Sequence, residues 1–167
     1  PLLFGTPTLS RRGTLREGRN TVILLDSDGR SLGDYHKQHL VPFGEYIPLR
    51  DYLPKFLTES WIGVADWGPG EESRVLQLKA TGSVARIGVP ICFESVFPDI
   101  TREFVQEGAN VLAVLTNDGW FGGTSAIPQH AAFSVFRAIE ARRAVVRAAN
   151  RGWTCFIDPQ GRIGPEQ

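Results

Sequence analysis

The stretch that decides the fold is VARIGVPICFESVFPDITREFVQEGANVLAVL, residues 84–115. It begins and ends with mostly apolar runs rich in β-branched residues, and the polar segment between them carries apolar residues at helical spacing. Gly108 stands where a glycine commonly ends a helix. The pattern predicts, in chain order, a strand at 84–91, a helix at 99–106 and a strand at 110–115.

Strand-like and helix-like runs alternate on both sides of this stretch. Before it, the apolar run TVILL and the turn sequence DSDG predict a hairpin over residues 21–35. After it, an apolar stripe that begins at a proline predicts one long helix over 128–149, and 153–157 predicts a further strand. Pro90 places the strand at 84–91 at a sheet edge or interrupts it. The alternation indicates an α/β or α+β sandwich that is one domain or most of one.

The composition is typical of a globular protein and excludes several classes. Of the 167 residues, 42% are hydrophobic and 22% charged, which argues against a disordered tail, a collagen-like repeat and a coiled coil. The 18 basic and 18 acidic residues balance, so no net field indicates a nucleic acid partner. The two cysteines fit neither a disulfide scaffold nor a zinc spacing. No apolar run approaches the roughly 18 residues that a membrane span requires.

The chain contains no methionine and begins with Pro1. We therefore expect residues 1–167 to be an internal part of a longer protein, with the sandwich incomplete at its N-terminal side. Features that this chain lacks are then expected elsewhere in that protein.

Residues 43–70 differ from the rest because they combine many aromatic residues and prolines with no clear period. Two interpretations are open. The stretch is either a loop folded onto the core, or a mobile apolar arm over a site that accepts an apolar substrate. Under the second interpretation its best contact residues are Phe56, Trp61, Ile62 and Trp67.

Cys92 and Lys37 are the candidates for chemistry. Cys92 is either an inert buried thiol or a thiolate at a strand-to-helix turn, where backbone N–H groups can bind an oxyanion. Lys37, one of three lysines in the chain, is either a solvated surface residue or a compact point charge at a site. Cys155 lies within a predicted strand with no polar neighbour to activate it, and is interpreted as inert.

Three motifs carry a family resemblance, and they follow one another along the chain. They are YHKQHLVPFGE at 35–45, ICFE at 91–94 and TNDGWFG at 116–122, with shorter matches at 129–130, 137–140, 147–150 and 159–161. Over nearly its whole length the chain resembles the nitrilase superfamily. Within it, the PFGE and NDGWFG segments resemble the apolipoprotein N-acyltransferase branch more than ordinary nitrilases and amidases.

The resemblance implies a four-layer αββα sandwich and Glu–Lys–Cys chemistry. It makes Cys92 the nucleophile and Lys37 the stabiliser of the oxyanion, assisted by the backbone N–H of Phe93. Glu45 matches an auxiliary glutamate near the lysine, which either orients Lys37 or shares in proton transfer. Glu94 matches an auxiliary polar position beside the nucleophile. The catalytic glutamate matches no residue of this chain. We expect it upstream, so that residues 1–167 alone are inactive.

The resemblance also implies a reaction and its partners. An acyl chain moves from a phospholipid, through a cysteine thioester, to the N-terminal amine of a diacylglyceryl-cysteine apolipoprotein. This chemistry needs neither a metal nor a cofactor. The resemblance places the parent protein in the bacterial inner membrane, with the catalytic domain on the periplasmic side. The residues expected to contact substrate are Asn117, Trp120, Phe121, Phe56, Trp61 and Trp67.

Other functions compete with this one. A soluble carbon–nitrogen hydrolase acting on a small amide would need a small polar pocket, which residues 43–70 do not suggest. A catalytically inactive binding module is a further alternative. The order Cys92, His130, Asn150 is that of a papain-like thiol protease, but 38 residues between the cysteine and the histidine are too few. A metal site has no helical histidine pair to support it. Its three candidate ligands are His36, His39 and His130.

Four arginines form a predicted basic cluster near the end of the long helix. A solvated helix end, favoured by the helix dipole, explains them as well as attraction to anionic lipid does. They are Arg142, Arg143, Arg147 and Arg151.

Overall fold

The computed structural model describes residues 1–12, 15–54, 67–72, 74–80 and 82–164. In chain order the strands and helices are β1 (Leu2–Arg12), β2 (Leu15–Leu25), β3 (Ser31–His36), β4 (Leu76–Ala80), β5 (Ser83–Gly88), α1 (Pro98–Gln106), β6 (Val111–Asn117), α2 (Ala126–Ala141), β7 (Ala144–Asn150) and β8 (Cys155–Ile157). Short 3₁₀ turns occupy Arg50–Tyr52, Cys92–Val96 and Asp118–Phe121.

The strands form two sheets. The first is antiparallel with the order β1-β2-β3, and the second has the order β4-β5-β6-β7-β8. In the second sheet β5, β6 and β7 run parallel, and the outer strands β4 and β8 are antiparallel to their neighbours. Because parallel strands end at the same edge, the segments that follow β5 and β6 lie side by side. Those segments contain Cys92 and Asp118.

One hydrophobic core joins both sheets and both helices. It includes Val22 and Leu24 from β2, Phe104 from α1 and Leu112 from β6, all at most 1% exposed. The centre of β6 is buried because it lies between β5 and β7, so its apolar run faces the interior on both sides. The described residues thus supply the two sheets of an αββα sandwich and one helical layer.

The strand–helix–strand prediction for residues 84–115 is confirmed by β5, α1 and β6, and the hairpin over 21–35 by β2 and β3. Pro90 interrupts the strand, because β5 ends at Gly88 and lies between β4 and β6. Gly88 also lets α1 approach the sheet, since a Cβ there would come within 2.7 Å of the Phe104 side chain. Strands β1 and β4 were not predicted.

The prediction of one helix over 128–149 is wrong. Helix α2 ends at Ala141, Arg142 takes a left-handed conformation with φ 50°, and residues 144–150 form β7. Seven consecutive residues of β7 pair with β6, and those long-range bonds outweigh the local helical pattern. Of the predicted apolar stripe (Ala132, Val135, Phe136, Ile139, Val146), Phe136 and Ile139 are half exposed and Val146 lies in β7.

The predicted basic cluster is also wrong, because its four arginines do not share a helix end. Arg142 follows the last residue of α2, and Arg143 donates to the carbonyl of Ala109. Arg147 is fully buried within β7, and Arg151 lies in the turn after that strand. A surface that attracts anionic lipid therefore does not follow from these four residues.

Residues 43–70 are described only in part. Within 43–54, Phe43 and Tyr52 are 57% and 86% exposed, whereas Ile47 is buried. Trp67 is half-buried, with its N–H donating to the carbonyl of Glu45. Phe56, Trp61 and Ile62 lie outside the described residues. Among the helices that are described, none combines the length and apolar character that a bilayer crossing needs.

Candidate active site

Cys92 occupies a sharp turn at the carboxyl end of β5. Ile91 still pairs with Leu115 of β6, and the 3₁₀ turn Cys92–Val96 begins immediately afterwards. Cys92 itself has φ 52°, a left-handed conformation that residues with a Cβ rarely adopt. Such strain persists only where the surroundings hold it, and it occurs preferentially at functional sites. The thiol of Cys92 belongs to a half-buried residue, whereas Cys155 in β8 is buried.

Glu94 joins the turn of Cys92 to the segment that follows Lys37. Its buried carboxylate accepts hydrogen bonds from the backbone N–H groups of Gln38 and His39, at 2.7 and 3.1 Å, and from the Tyr35 hydroxyl at 3.0 Å. The second oxygen accepts the N–H of Ile91 at 2.7 Å. One side chain therefore holds together two loops that are more than 50 residues apart in sequence.

Burial raises the pKa of both Glu94 and its neighbour Tyr35. Removal from water raises the pKa of Glu94, and the backbone donors of Ile91, His39 and Gln38 oppose that shift. Burial, followed by the nearby charge of Glu94, raises the pKa of the Tyr35 hydroxyl, which stays a donor. All four partners of the carboxylate are donors, so the ionised form is the one that satisfies them.

Lys37 follows the last residue of β3 and is 1% exposed. Its ammonium group donates to both oxygens of Glu45, at 2.7 and 2.8 Å. The same carboxylate accepts from the Asn20 side chain at 2.6 Å and from the N–H of Val41 at 2.8 Å. Glu45 thus accepts four hydrogen bonds from three groups, two of them from Lys37, so this residue fixes the position of the Lys37 charge.

The backbone around Lys37 is fixed as well. Its N–H donates to the Asn20 carbonyl at 2.8 Å, and its carbonyl accepts the N–H of Gly70 at 2.7 Å. A Cβ on Gly70 would collide with the carbonyl oxygen of His36, so glycine is required for this close approach. The lysine is therefore a buried, anchored charge, and the interpretation of Lys37 as a solvated surface residue is wrong.

A second buried network follows β6. Asp118 is fully buried and accepts from the Thr116 hydroxyl and from His130 Nδ1, both at 2.9 Å, and from Arg147 Nη2 at 2.8 Å. Arg147 also donates to the Ser134 hydroxyl at 3.1 Å. Burial opposes ionisation of Asp118, but the bonds from His130 and Thr116 and the charge of Arg147 hold its pKa below the ordinary value.

The residues expected to contact substrate differ in exposure and in their distance from this network. Asn117 is exposed and accepts the N–H of Gly119 at 3.1 Å, and Trp120 is 83% exposed. The ring of Phe121 meets His130 edge-on, with 5.6 Å between centroids, and Phe93 stacks on the same imidazole at 6.5 Å. The structure thus brings Phe121 and Phe93 together beside the turn of Cys92.

The sequence analysis did not predict this network, in which Asp118 contacts both Arg147 and His130. The available signal was Arg147, a charged residue inside the mostly apolar run AVVRAAN. This run was assigned to the end of a helix because the predicted helix extended too far. The three histidines considered as metal ligands have separate partners: His36 contacts Thr21, His39 packs at a tilt against Phe97, and His130 contacts Asp118. In the described part of the chain no cluster of three ligand side chains could hold a metal ion.

The profile of the carbon–nitrogen hydrolase family matches residues 3–166. A protein named apolipoprotein N-acyltransferase from Geobacter metallireducens is 42% identical over 161 residues, 96% of this chain and 30% of that protein. One of the same name from Chlorobaculum tepidum is 41% identical over 146 residues, 86% of this chain and 27% of that protein. The chain therefore spans about 30% of the length of the curated relatives it matches.

Solved structures agree on the fold. Nit3 of Saccharomyces cerevisiae, a member of branch 10 of the nitrilase superfamily, superposes with a TM-score of 0.71 at 20% identity, over 98% of this chain and 53% of that one. A carbon–nitrogen hydrolase from Helicobacter pylori gives 0.69 at 13% identity, over 99% and 57%. Because the family profile covers almost every residue, this chain belongs to the carbon–nitrogen hydrolase family.

Proposed function

We propose that residues 1–167 are the larger part of the catalytic domain of an apolipoprotein N-acyltransferase. The enzyme would move an acyl chain from a phospholipid to the N-terminal amine of a diacylglyceryl-cysteine apolipoprotein. The observation that carries the proposal is the strained turn at Cys92, held by Glu94 beside the segment of a buried, fixed Lys37. Relatives that are 41–42% identical to this chain bear the acyltransferase name.

In the first step the Cys92 thiolate attacks the ester carbonyl of the phospholipid. A carboxylate takes the thiol proton, the Sγ–C bond forms, and the carbonyl π electrons move onto the oxygen. When the oxyanion collapses, the C–O ester bond breaks and the lysophospholipid alkoxide receives the proton. In the second step the apolipoprotein amine attacks the thioester, the C–S bond breaks, and the amine proton returns to the cysteine.

The oxyanion requires two fixed positive partners, and we assign them to Lys37 and to the backbone N–H of Phe93. In the 3₁₀ turn the first bonded donor is the N–H of Glu94, at 3.1 Å from the Ile91 carbonyl. The N–H of Phe93 precedes it and makes no bond within the turn. Lys37 supplies a compact charge whose position is set by Glu45.

The general base is assigned to a glutamate outside residues 1–167. Glu45 and Glu94 are unsuited to that role because each already accepts four hydrogen bonds. They act instead as positioning residues for Lys37 and for the turn of Cys92. On this proposal residues 1–167 alone do not turn over.

The lipid substrate accounts for exposed aromatic residues near the site. Trp120 is 83% exposed and adjoins Phe121, which packs on His130 beside Cys92. A donor whose acyl carbons leave the bilayer loses about 0.8 kcal/mol per CH₂ unless an apolar surface receives them. Trp120 and Phe121, with Asn117, Trp67, Phe56 and Trp61, are proposed to form that surface. The parent protein is proposed to lie in the bacterial inner membrane with this domain facing the periplasm.

The proposal is tested by trapping the acyl-enzyme in the full-length protein. Incubation with phospholipid vesicles and no acceptor should leave one acyl chain on Cys92, located by mass spectrometry of peptides at low pH. Cys92→Ser should abolish the adduct, and the matched control Cys155→Ser should retain it. An adduct on Cys155, or turnover of small amides with no lipid thioester, would replace the acyltransferase with a different reaction.

A further inference from the structure

His130 is a buried histidine of α2 with bonds at both ring nitrogens. Nδ1 lies 2.9 Å from a carboxylate oxygen of Asp118, and Nε2 lies 3.3 Å from the carbonyl oxygen of Cys92. Arg147 Nη2 also lies 3.2 Å from Nδ1, and the Ser95 hydroxyl lies 3.3 Å from Nε2. A carbonyl can only accept a hydrogen bond, so in the contact with Cys92 the donor is Nε2. It is 3% exposed, and the rings of Phe121 and Phe93 pack against it.

The side of His130 that faces away from Cys92 is rigidly held. Asp118 is fixed by the Thr116 hydroxyl at 2.9 Å and by Arg147 at 2.8 Å, and Arg147 in turn by Ser134 at 3.1 Å. Asp118, Arg147 and Ser134 have no measurable exposure. Several directed hydrogen bonds between buried groups restrict these side chains to one arrangement.

On the side that faces Cys92, His130 contacts the peptide group between Cys92 and Phe93. The carbonyl oxygen of Cys92 accepts from His130 and, at 2.9 Å, from the Ser95 hydroxyl. The same peptide plane carries the N–H of Phe93, which points opposite to that oxygen because the peptide bond is planar and trans. Fixing the carbonyl of Cys92 therefore fixes the direction of the Phe93 N–H. Donation to the carbonyl also polarises the amide and strengthens its N–H as a donor.

We propose that His130, held by Asp118, is a positioning residue that locks the Cys92–Phe93 peptide plane and so aims the oxyanion-binding N–H of Phe93. This inference rests on the proposed acyl transfer at Cys92. It assigns His130 neither proton transfer nor contact with substrate. Ser95 supports the same peptide from a second direction.

Two substitutions separate the two contacts of His130. In His130→Gln the side-chain amide can reach the place of Nε2 and keep the bond to Cys92, while the bond to Asp118 is lost. In His130→Asn the shorter amide replaces Nδ1 and keeps the bond to Asp118, while the bond to Cys92 is lost. Ser95→Ala removes the second donor to Cys92 and leaves Asp118 untouched. Arg102→Ala, an exposed position on α1, is the control.

The readout compares two reactions of Cys92 in the full-length protein. Acylation by a short p-nitrophenyl ester forms an oxyanion, whereas alkylation by iodoacetamide does not. We expect His130→Asn to slow acylation about 10²-fold, the order seen when an oxyanion donor is misplaced. His130→Gln should stay within about threefold of wild type and Ser95→Ala should fall between them. Alkylation rates and melting temperatures should be similar for the two His130 variants.

Equal acylation rates in the two His130 variants, or a slower His130→Gln, would overturn the inference and leave the histidine as a partner of Asp118 alone. A parallel loss of acylation and alkylation would also overturn it, because a distorted fold affects both. If wild type accepts the p-nitrophenyl acyl group on Cys92 but none from phospholipid, the proposed function fails and the peptide-plane inference is still decided. If Cys92 accepts an acyl group from neither, both fail.

Discussion

Replacing Glu94 by glutamine tests whether one carboxylate holds the two loops of the site together. The glutamine oxygen can replace Oε1, which accepts from Tyr35, Gln38 and His39. The amide nitrogen then replaces Oε2 and faces the N–H of Ile91, 2.7 Å away in the wild type. Two donors would oppose each other in a buried space. Flipping the amide makes the conflict worse, because the nitrogen would meet the N–H groups of both Gln38 and His39.

The size of the effect follows from these contacts. The lost bond to a charged acceptor is worth about 1.5–3 kcal/mol, and the Ile91 donor left unsatisfied costs about 1–3 kcal/mol more. Relief from burying a charge offsets part of this, so the net loss of local stability is about 2–4 kcal/mol. Converted at 1.36 kcal/mol per factor of ten, opening of the loop should become about 30- to 1,000-fold more frequent.

Hydrogen exchange in the full-length protein measures that opening directly. Peptides that contain Ile91, Gln38 and His39 should exchange faster in Glu94→Gln, and acylation of Cys92 should fall with them. Glu72→Gln makes the same chemical change at an exposed position and is the matched control. It should leave both the exchange rates of these peptides and the acylation of Cys92 unchanged. Unaltered protection at Ile91 together with normal acylation would refute the positioning role of Glu94.

Lys37→Ala should lower the single-turnover acylation rate constant about 10²–10³-fold, because it removes a fixed charge from the oxyanion. Lys37→Arg should not restore the rate, because the guanidinium cannot place a compact charge at the position of Nζ. A near-normal rate in Lys37→Arg would exclude Lys37 as the stabiliser of the oxyanion. Trp120→Ser should slow acylation by long-chain phospholipid and spare a short water-soluble ester, and equal losses on both substrates would assign Trp120 a purely structural role. Because the folded pKa of Asp118 is lowered, its stabilisation is present above the ordinary aspartate value of about 3.9 and is lost as the pH falls through the folded value. Asp118→Asn should therefore flatten the acid side of a plot of melting temperature against pH, and an unchanged acid side would contradict the assignment. Gly70→Ala should lower the melting temperature, since its Cβ collides with the carbonyl of His36. An unchanged melting temperature would show that the backbone at Gly70 can move to accommodate a Cβ.

The elements around Cys92 could be predicted because their signals are local. Apolar runs bounded by polar residues and a terminal glycine define β5, α1 and β6 within one stretch of sequence. The position of Cys92 at the end of a strand followed from the same pattern. Its left-handed backbone did not, since nothing in the residue type favours φ 52°. The side chains that contact this turn are those of Glu94, Ser95 and His130, and the last of these belongs to α2.

The connection between the segment of Lys37 and the turn of Cys92 is not a local property either. It depends on four bonds to Glu94 from residues up to 59 positions away, and sequence spacing carries no information about such a bridge. The motifs that contain Lys37 and Glu94 could be matched to a family, which identified both residues. The matching did not distinguish a carboxylate with free lone pairs from one that already accepts four hydrogen bonds. That distinction required the hydrogen-bond partners.

Arg147 is the position where the sequence pattern was most misleading and, interpreted differently, most informative. The predicted helix over 128–149 includes Arg147, so the prediction treats this residue as one of several charges at a solvated helix end. Its immediate neighbours are Val146 and Ala148, in a run that pairs with β6 over seven residues. A charge at the centre of such a run is buried by the fold and requires a counter-charge, because an isolated buried guanidinium is too costly. The counter-charge is Asp118, directly after the neighbouring strand β6, and it connects Arg147 through His130 to the carbonyl of Cys92.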